Sequence, residues 1–242
     1  MYGQLINLLS KEEILKFSRE HNGERYVNHF DAYQHLVIML YAVIKRFDSL
    51  REITDSMFPE ARKLAHLGIR TMPRRSTLSD ANARRPAAVY DATYRSLYAR
   101  HKARIATYVD LTKKKPKVIS LLTNDMGMDM DMEEIIAIYR KRWEIELLFK
   151  QLKQNFPLRY FYGESANAIK IQIWVTLIAN LLLMVIQKRI KRPWSFSGSA
   201  TIIRIMLMYY VNCYTFLEEP EKDWAKMVQE AKETPPEPTL FD

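Results

Sequence analysis

Residues 171–186 read IQIWVTLIANLLLMVI, a run without a single charge that is bounded by Lys170 and Lys188. A helix of this composition either crosses a bilayer or forms the middle of a helical protein, so its reading decides the fold. Crossing a membrane needs about 20 apolar residues, and this run falls just short. Gln172, Thr176 and Asn180 recur every four residues and mark a polar stripe along one helix face. The run is therefore read as the centre of a buried core helix spanning about 164–190, with no membrane partner.

The composition agrees with a packed soluble chain. Of 242 residues, 48% are hydrophobic and 27% charged, a balance that excludes a disordered protein. A single cysteine, Cys213, excludes an internal disulfide framework and a Cys-based zinc site. The five histidines (His21, His29, His35, His66, His101) show no metal-ligand spacing. The opening MYGQLINLLSKEEILKF lacks the basic start and long apolar run of a signal peptide, so the expected location is cytoplasmic. The formal net charge of +9 and pI near 9.5 favour a polyanionic partner, because Lys and Arg release the counterions of phosphates.

Working towards the N-terminus, helical signals dominate. Ser10 followed by Glu13 is a capping box opening KEEILKFSRE. After the turn HNGERY, an apolar-periodic run covers about 30–46, with Asp31 as its N-cap. SLREITDSMF is a short amphipathic helix, Ser76 opens STLSDANARR in capping position, and 86–104 continues as helix with Pro86 in its first turn. Arg70, Arg74 and Arg75 gather before Ser76, and Arg84 and Arg85 close that stretch. Arginines beside a helix N-terminus suit phosphate, which makes these five candidate DNA-binding residues within a helix-turn-helix-like segment, 50–85.

Near residue 105 the texture changes. VISLL, after a basic tract, is the one convincing strand signal, and DMGMDMDM (125–132) reads as an acidic turn. A long helix then runs from Glu133 to about Gln154, and another is expected at about 197–217. The Pro-rich ETPPEPTLFD ends a tail read as disordered. The fold class is mainly α, divided into a helical N-terminal domain (1–104), a second unit (105–225) and the tail (226–242).

Within the helix 133–153, Tyr139, Arg142, Glu146 and Lys153 fall within roughly 60° of one another. Ile138, Ile145, Leu148, Phe149 and Leu152 fill the neighbouring arc, which needs a partner such as the helices at 164–190 and 30–46. Trp143 is expected in the core. A carboxylate between two cations and a phenol suits a divalent metal and phosphate oxygens; the same i,i+4 spacing also suits a plain Arg142–Glu146 ion pair.

The spacing Tyr139-x2-Arg142-x3-Glu146-x6-Lys153 resembles the Y-R-E-K signature of bacterial insertion-sequence transposases of family four. LLTND, RYFYGESANAIKIQIW and YYVNCYTFLEEPEKDW resemble the C-terminal half of the same proteins, and FDAYQHLVIMLYAV, SLREI and LAHLGIRTMPRRSTLSDANARR their helical DNA-binding region. The resemblance covers about 1–104 and 107–225. It implies a DDE cut-and-paste enzyme on a ribonuclease-H-like fold, with Glu146 as third metal-binding carboxylate and Tyr139, Arg142 and Lys153 on terminal phosphates. It also implies Mg2+ as cofactor, insertion-sequence ends in double-stranded DNA as partner, and a homodimer or a heterodimer with full-length transposase.

Family members carry two aspartates before the glutamate, each ending a strand, because two Mg2+ ions need several carboxylates in near-octahedral arrangement. Asp110, in YVDLT, superficially resembles the first, but no strand-ending second aspartate can be placed among Asp125, Asp129 and Asp131. The second unit is thus expected to be a helical remnant of an α/β domain with one or two short strands. The chain reads as internally deleted near Arg104–Thr107 and catalytically incompetent, and the alternative function is a non-catalytic DNA-binding remnant that inhibits or represses transposition.

Overall fold

The computed structural model describes residues 1–25, 27, 29–106, 132–222, 225, 228 and 229. In chain order its α-helices are α1 (Tyr2–Ile6), α2 (Lys11–Glu20), α3 (Ala32–Lys45), α4 (Leu50–Met57), α5 (Ala61–His66), α6 (Arg75–Arg84), α7 (Ala88–Ala106), α8 (Met132–Asn155), α9 (Ala166–Arg189), α10 (Phe196–Met206) and α11 (Cys213–Glu218), with a 3-10 turn, Phe58–Glu60, before α5. The chain is mainly α, and the described residues contain no strand. Asp110, the VISLL strand and the acidic turn at 125–131 lie outside the described residues, as does the 226–242 tail apart from Val228 and Gln229.

Local chemistry sets most helix starts. Asp31 caps α3 by accepting from the Gln34 amide at 2.7 Å, and Gln34 returns a bond to the Asp31 amide, a complete capping box. Ser49, Ser165 and Ser195 cap α4, α9 and α10 through their hydroxyls. Ser10 caps α2 by accepting from the Glu13 amide at 3.3 Å. The Glu13 carboxylate does not close that box. It reaches α7 instead, accepting from Ser96 and Arg100 at 2.8 Å each.

Helix α9 is the axis of the body. It packs most extensively on α7 and α3, and also on α6, α10, α8 and α1. It is the one described helix long and apolar enough to cross a membrane, yet two-thirds of its apolar window is buried within the structure. Leu182, Ile178, Val175 and Ile171 are fully buried against Leu36, Leu40 and Val43 of a core that also takes in Val89, Tyr90 and Leu97. Helices on both sides of residue 105 therefore share a single core. Burying this apolar surface stabilises at about 25 cal/mol per Å2.

The polar stripe of α9 is buried as well. Gln172 donates to the carbonyls of Pro157 and Tyr160 (3.2 and 2.8 Å) and accepts from the Tyr162 amide at 2.8 Å. Thr176 donates to the Gln172 carbonyl, and Asn180 accepts from Gln151 at 2.6 Å. The stripe thus fastens the α8–α9 connection, whose backbone groups need partners once they leave water.

Three expectations for helix limits are corrected, the first being Pro86, which lies before α7 and not in its first turn, since the helix starts at Ala88. The run 197–217 is not one helix: α10 stops at Met206 and α11 starts at Cys213. Asn212 caps α11 by accepting from the Tyr214 and Thr215 amides, and the intervening turn binds α1 through Tyr2 N–H to the Leu207 carbonyl and Cys213 N–H to Gln4. Ser76 is not an N-cap. Helix α6 begins one residue earlier, after Arg74 in extended conformation, and no side chain caps it.

Candidate nucleic-acid interface

The segment α4–α6 sits on the core through apolar contacts. Ile53 and Met57 of α4, Leu64 of α5 and Ile69 are buried, and α4 packs on α6. The turn from α5 passes through Gly68 at φ +86, a left-handed position suited to glycine. Its carbonyl accepts from Gln34 at the start of α3. Helix α6 turns Leu78 and Asn82 inward, one helical turn apart. Arg75, Ser76, Ser79, Asp80, Ala83 and Arg84 face solvent.

Four of the five candidate arginines lie on this surface. Arg70, Arg74, Arg75 and Arg84 are exposed, and none forms an ion pair among the described residues. The uncapped amides of the first turn of α6 lie beside Arg74 and Arg75, so two kinds of donor face outward together.

Arg85 does not join them, which corrects its assignment. It is 3% exposed, donating to the Phe30 carbonyl at 2.8 Å and the Gly23 carbonyl at 3.3 Å, with Glu24 4.0 Å away. Asn167, at the start of α9, holds the same corner by donating to the carbonyls of Asn82, Ala83 and Arg85 and accepting from Ala87 N–H. Beneath it, His35 sits between Asn82 and Tyr90. The Asn82 oxygen faces Nε2 at 2.9 Å, so Nε2 donates and Nδ1 accepts from the Tyr90 hydroxyl at 2.5 Å. Burial, then the Arg85 charge, hold the His35 imidazole well below its ordinary range, against the opposing bond to Asn82.

The second set of candidates lies on α8. Tyr139 is in its middle, Arg142 donates to Glu146 at 3.2 Å, and Lys153 is exposed. The Arg142–Glu146 pair is solvent-exposed, of a kind worth about 0.3–0.5 kcal/mol. Only the last turn of the apolar arc finds the core, through Leu152 at 4% exposure; Ile138, Ile145, Leu148 and Phe149 stay outside. Trp143, expected in the core, is 56% exposed.

The described residues alone do not make up the Mg2+ site that the resemblance implies, and Asp110, Asp125, Asp129 and Asp131 lie outside them. Glu146 is engaged by Arg142, and no group of three or more His, Cys, Asp or Glu able to hold a metal occurs among the described residues. The sequence reading also missed a cluster around α5, where Arg62, Lys63 and His66 meet Tyr209 and Tyr210. Its signal was the adjacent tyrosine pair, since two neighbouring aromatics on one helix point about 100° apart and seldom share one buried face.

Comparison with known proteins bears on part of the chain. Residues 1–70 match the family described as Domain of unknown function (DUF4372). Over 67 residues the chain is 42% identical to a protein named "Putative transposase y4zB" from Sinorhizobium fredii (strain NBRC 101917 / NGR234), covering 28% of this chain and 18% of that protein. Over 51 residues it is 49% identical to a "Putative transposase for insertion sequence element IS4SA" from Synechocystis sp. (strain ATCC 27184 / PCC 6803 / Kazusa), covering 21% of this chain and 15% of that protein. The matched stretches span less than a fifth of the length of these relatives. No solved structure matches.

Proposed function

We propose that this chain is a DNA-binding protein of insertion-sequence transposition that holds element-end duplex DNA on the exposed face of α6 and does not cut it. The observation that carries this reading is the row of exposed arginines along α6, with Arg70, Arg74 and Arg75 at or before its uncapped start and Arg84 in its last turn, none of them ion-paired among the described residues, on a chain of net charge +9. The names of the relatives favour the transposition setting. Phosphates meet Arg70, Arg74, Arg75 and Arg84, while the short side chains of Ser76, Ser79 and Ala83 let the helix approach a groove.

On this reading Tyr139, Arg142, Glu146 and Lys153 descend from the Y-R-E-K helix of a DDE transposase on a ribonuclease-H-like fold, shortened internally. The exposed apolar arc of α8 favours a second role, in which the chain pairs with another copy or with intact transposase and so inhibits transposition. The setting for both roles is the bacterial nucleoid.

Fluorescence anisotropy with a labelled duplex carrying the element ends tests the binding. Affinity is expected to fall steeply with salt, and Arg75→Ala is expected to lower the log–log slope by about 1. An affinity indifferent to salt would overturn the reading. Incubation of the same duplex with the chain and Mg2+ tests the chemistry, and robust strand cleavage would refute the claim of incompetence.

A further inference from the structure

The turn that separates α10 from α11 leaves two consecutive tyrosines outside the core. Leu207 and Met208 are buried, whereas Tyr209 is 57% and Tyr210 75% exposed. Lys63 of α5 stands beside both, its Nζ 5.9 Å from the centre of one ring and 5.8 Å from the other. The same ammonium is 2.8 Å from Glu60, which offsets part of its charge. A cation placed against two rings orients them, and so much exposed ring area leaves aromatic surface open to a ligand.

Two adjoining cavities open at this place. One, of about 440 Å3, is lined in part by Asn7, Lys63, His66, Tyr209 and Tyr210; the other, of about 600 Å3, by Pro59, Arg62, Lys63, His66 and Tyr210. Arg62 and His66 are exposed and one helical turn apart on α5. Arg62 has no ion-pair partner among the described residues. Open aromatic faces beside an unpaired guanidinium hold an unpaired strand, because bases stack on rings while phosphates meet the cation. A duplex makes poor use of such a surface, since its base faces are covered by one another.

From this we propose that Tyr209, Tyr210, Arg62, Lys63 and His66 form a binding site for single-stranded DNA, with a base stacked on Tyr210 and the adjoining phosphate on Arg62. The stacking surface is built from α5 and the turn between α10 and α11, not from α6. Only the assignment to DNA rather than RNA rests on the function proposed above.

The test is anisotropy with the full chain and four probes: a labelled 12-nucleotide dT strand, an abasic strand of the same length, a 12-nucleotide rU strand and a duplex. The dT strand should bind more tightly than the abasic one. Tyr210→Ala should weaken dT binding by about fivefold to a hundredfold and leave the abasic strand unchanged, whereas Arg62→Ala should weaken both alike. Both side chains are exposed, and an unchanged circular dichroism spectrum would show that each variant folds. Tyrosine-dependent binding of dT with no duplex binding would support this site while removing the α6 interface. Equal affinity for dT and abasic strands, or a Tyr209→Ala/Tyr210→Ala variant with wild-type dT affinity, would overturn it. So would tighter tyrosine-dependent binding of rU, or sedimentation showing that the tyrosines mediate self-association while dT binding stays unchanged.

Discussion

Helices α8 and α9 are each 24 residues long, yet their surroundings are opposite. The middle of α9 carries no charge and is buried by α3 and α7, and even its polar stripe finds partners inside. All ten residues from Lys141 to Phe149 and Lys150 on α8 are exposed, with large apolar side chains on either side of the polar stripe. Both sequences form helix, because helix formation follows local propensity and capping. Burial follows from what lies opposite. For α9 the opposing faces are in the described chain; for most of α8 they are not.

The contrast can be broken experimentally. Gln172→Leu should be the most damaging change, costing roughly 3–5 kcal/mol in urea unfolding, because two carbonyls and the Tyr162 amide lose buried partners together. A loss below 1 kcal/mol would mean that the α8–α9 connection is held by something other than the α9 stripe. Arg85→Ala should cost roughly 2–4 kcal/mol by leaving the Gly23 and Phe30 carbonyls unpaired. Arg75→Ala should leave stability within about 0.5 kcal/mol and lower duplex affinity. If both variants bind DNA equally poorly while folded, the inward assignment of Arg85 is wrong.

The network under α6 gives a pH dependence. His35 is held neutral in the fold with its basicity lowered, so the unfolded chain takes up a proton first as pH falls. Its contribution is fully present above the unfolded value of about 6.5 and is lost progressively as the pH falls below that value. Thermal midpoints should therefore drop from pH 7 to pH 5 more in wild type than in His35→Gln; equal drops would remove His35 as the cause. The smallest effect is expected on α8. Phe149→Ser, at a position 55% exposed, should change stability by less than about 0.5 kcal/mol. A loss of several kcal/mol would show that the α8 arc is covered after all.

Most helices were legible because their signals are local. Asp31 with Gln34 and the 3.6-residue period of 30–46 place α3, and the four-residue spacing of Gln172, Thr176 and Asn180 identifies α9 as a core helix. The errors come from tertiary demands. Glu13 leaves its capping box because Ser96 and Arg100 compete for it, and the 197–217 helix breaks where α1 binds the turn. Arg85 looks like its neighbours in sequence, and only the carbonyls of Gly23 and Phe30, some 55–62 positions away, draw it inward. Of the α8 stripe, spacing conveyed the Arg142–Glu146 ion pair. It could not convey what the stripe meets.

The packing of α9 against α7 has a further consequence, in terms of polymer loops. The two helices meet whatever joins Ala106 to Met132, since their mutual contacts lie in the helices themselves. Closing a flexible loop costs entropy only as the logarithm of its length, so a tenfold longer connection adds about 2 kcal/mol. The interval between α7 and α8 is thus where this architecture tolerates the largest gain or loss of chain, because the end of α8 and its connection to α9 carry Leu152, Phe156 and Tyr162 into the core.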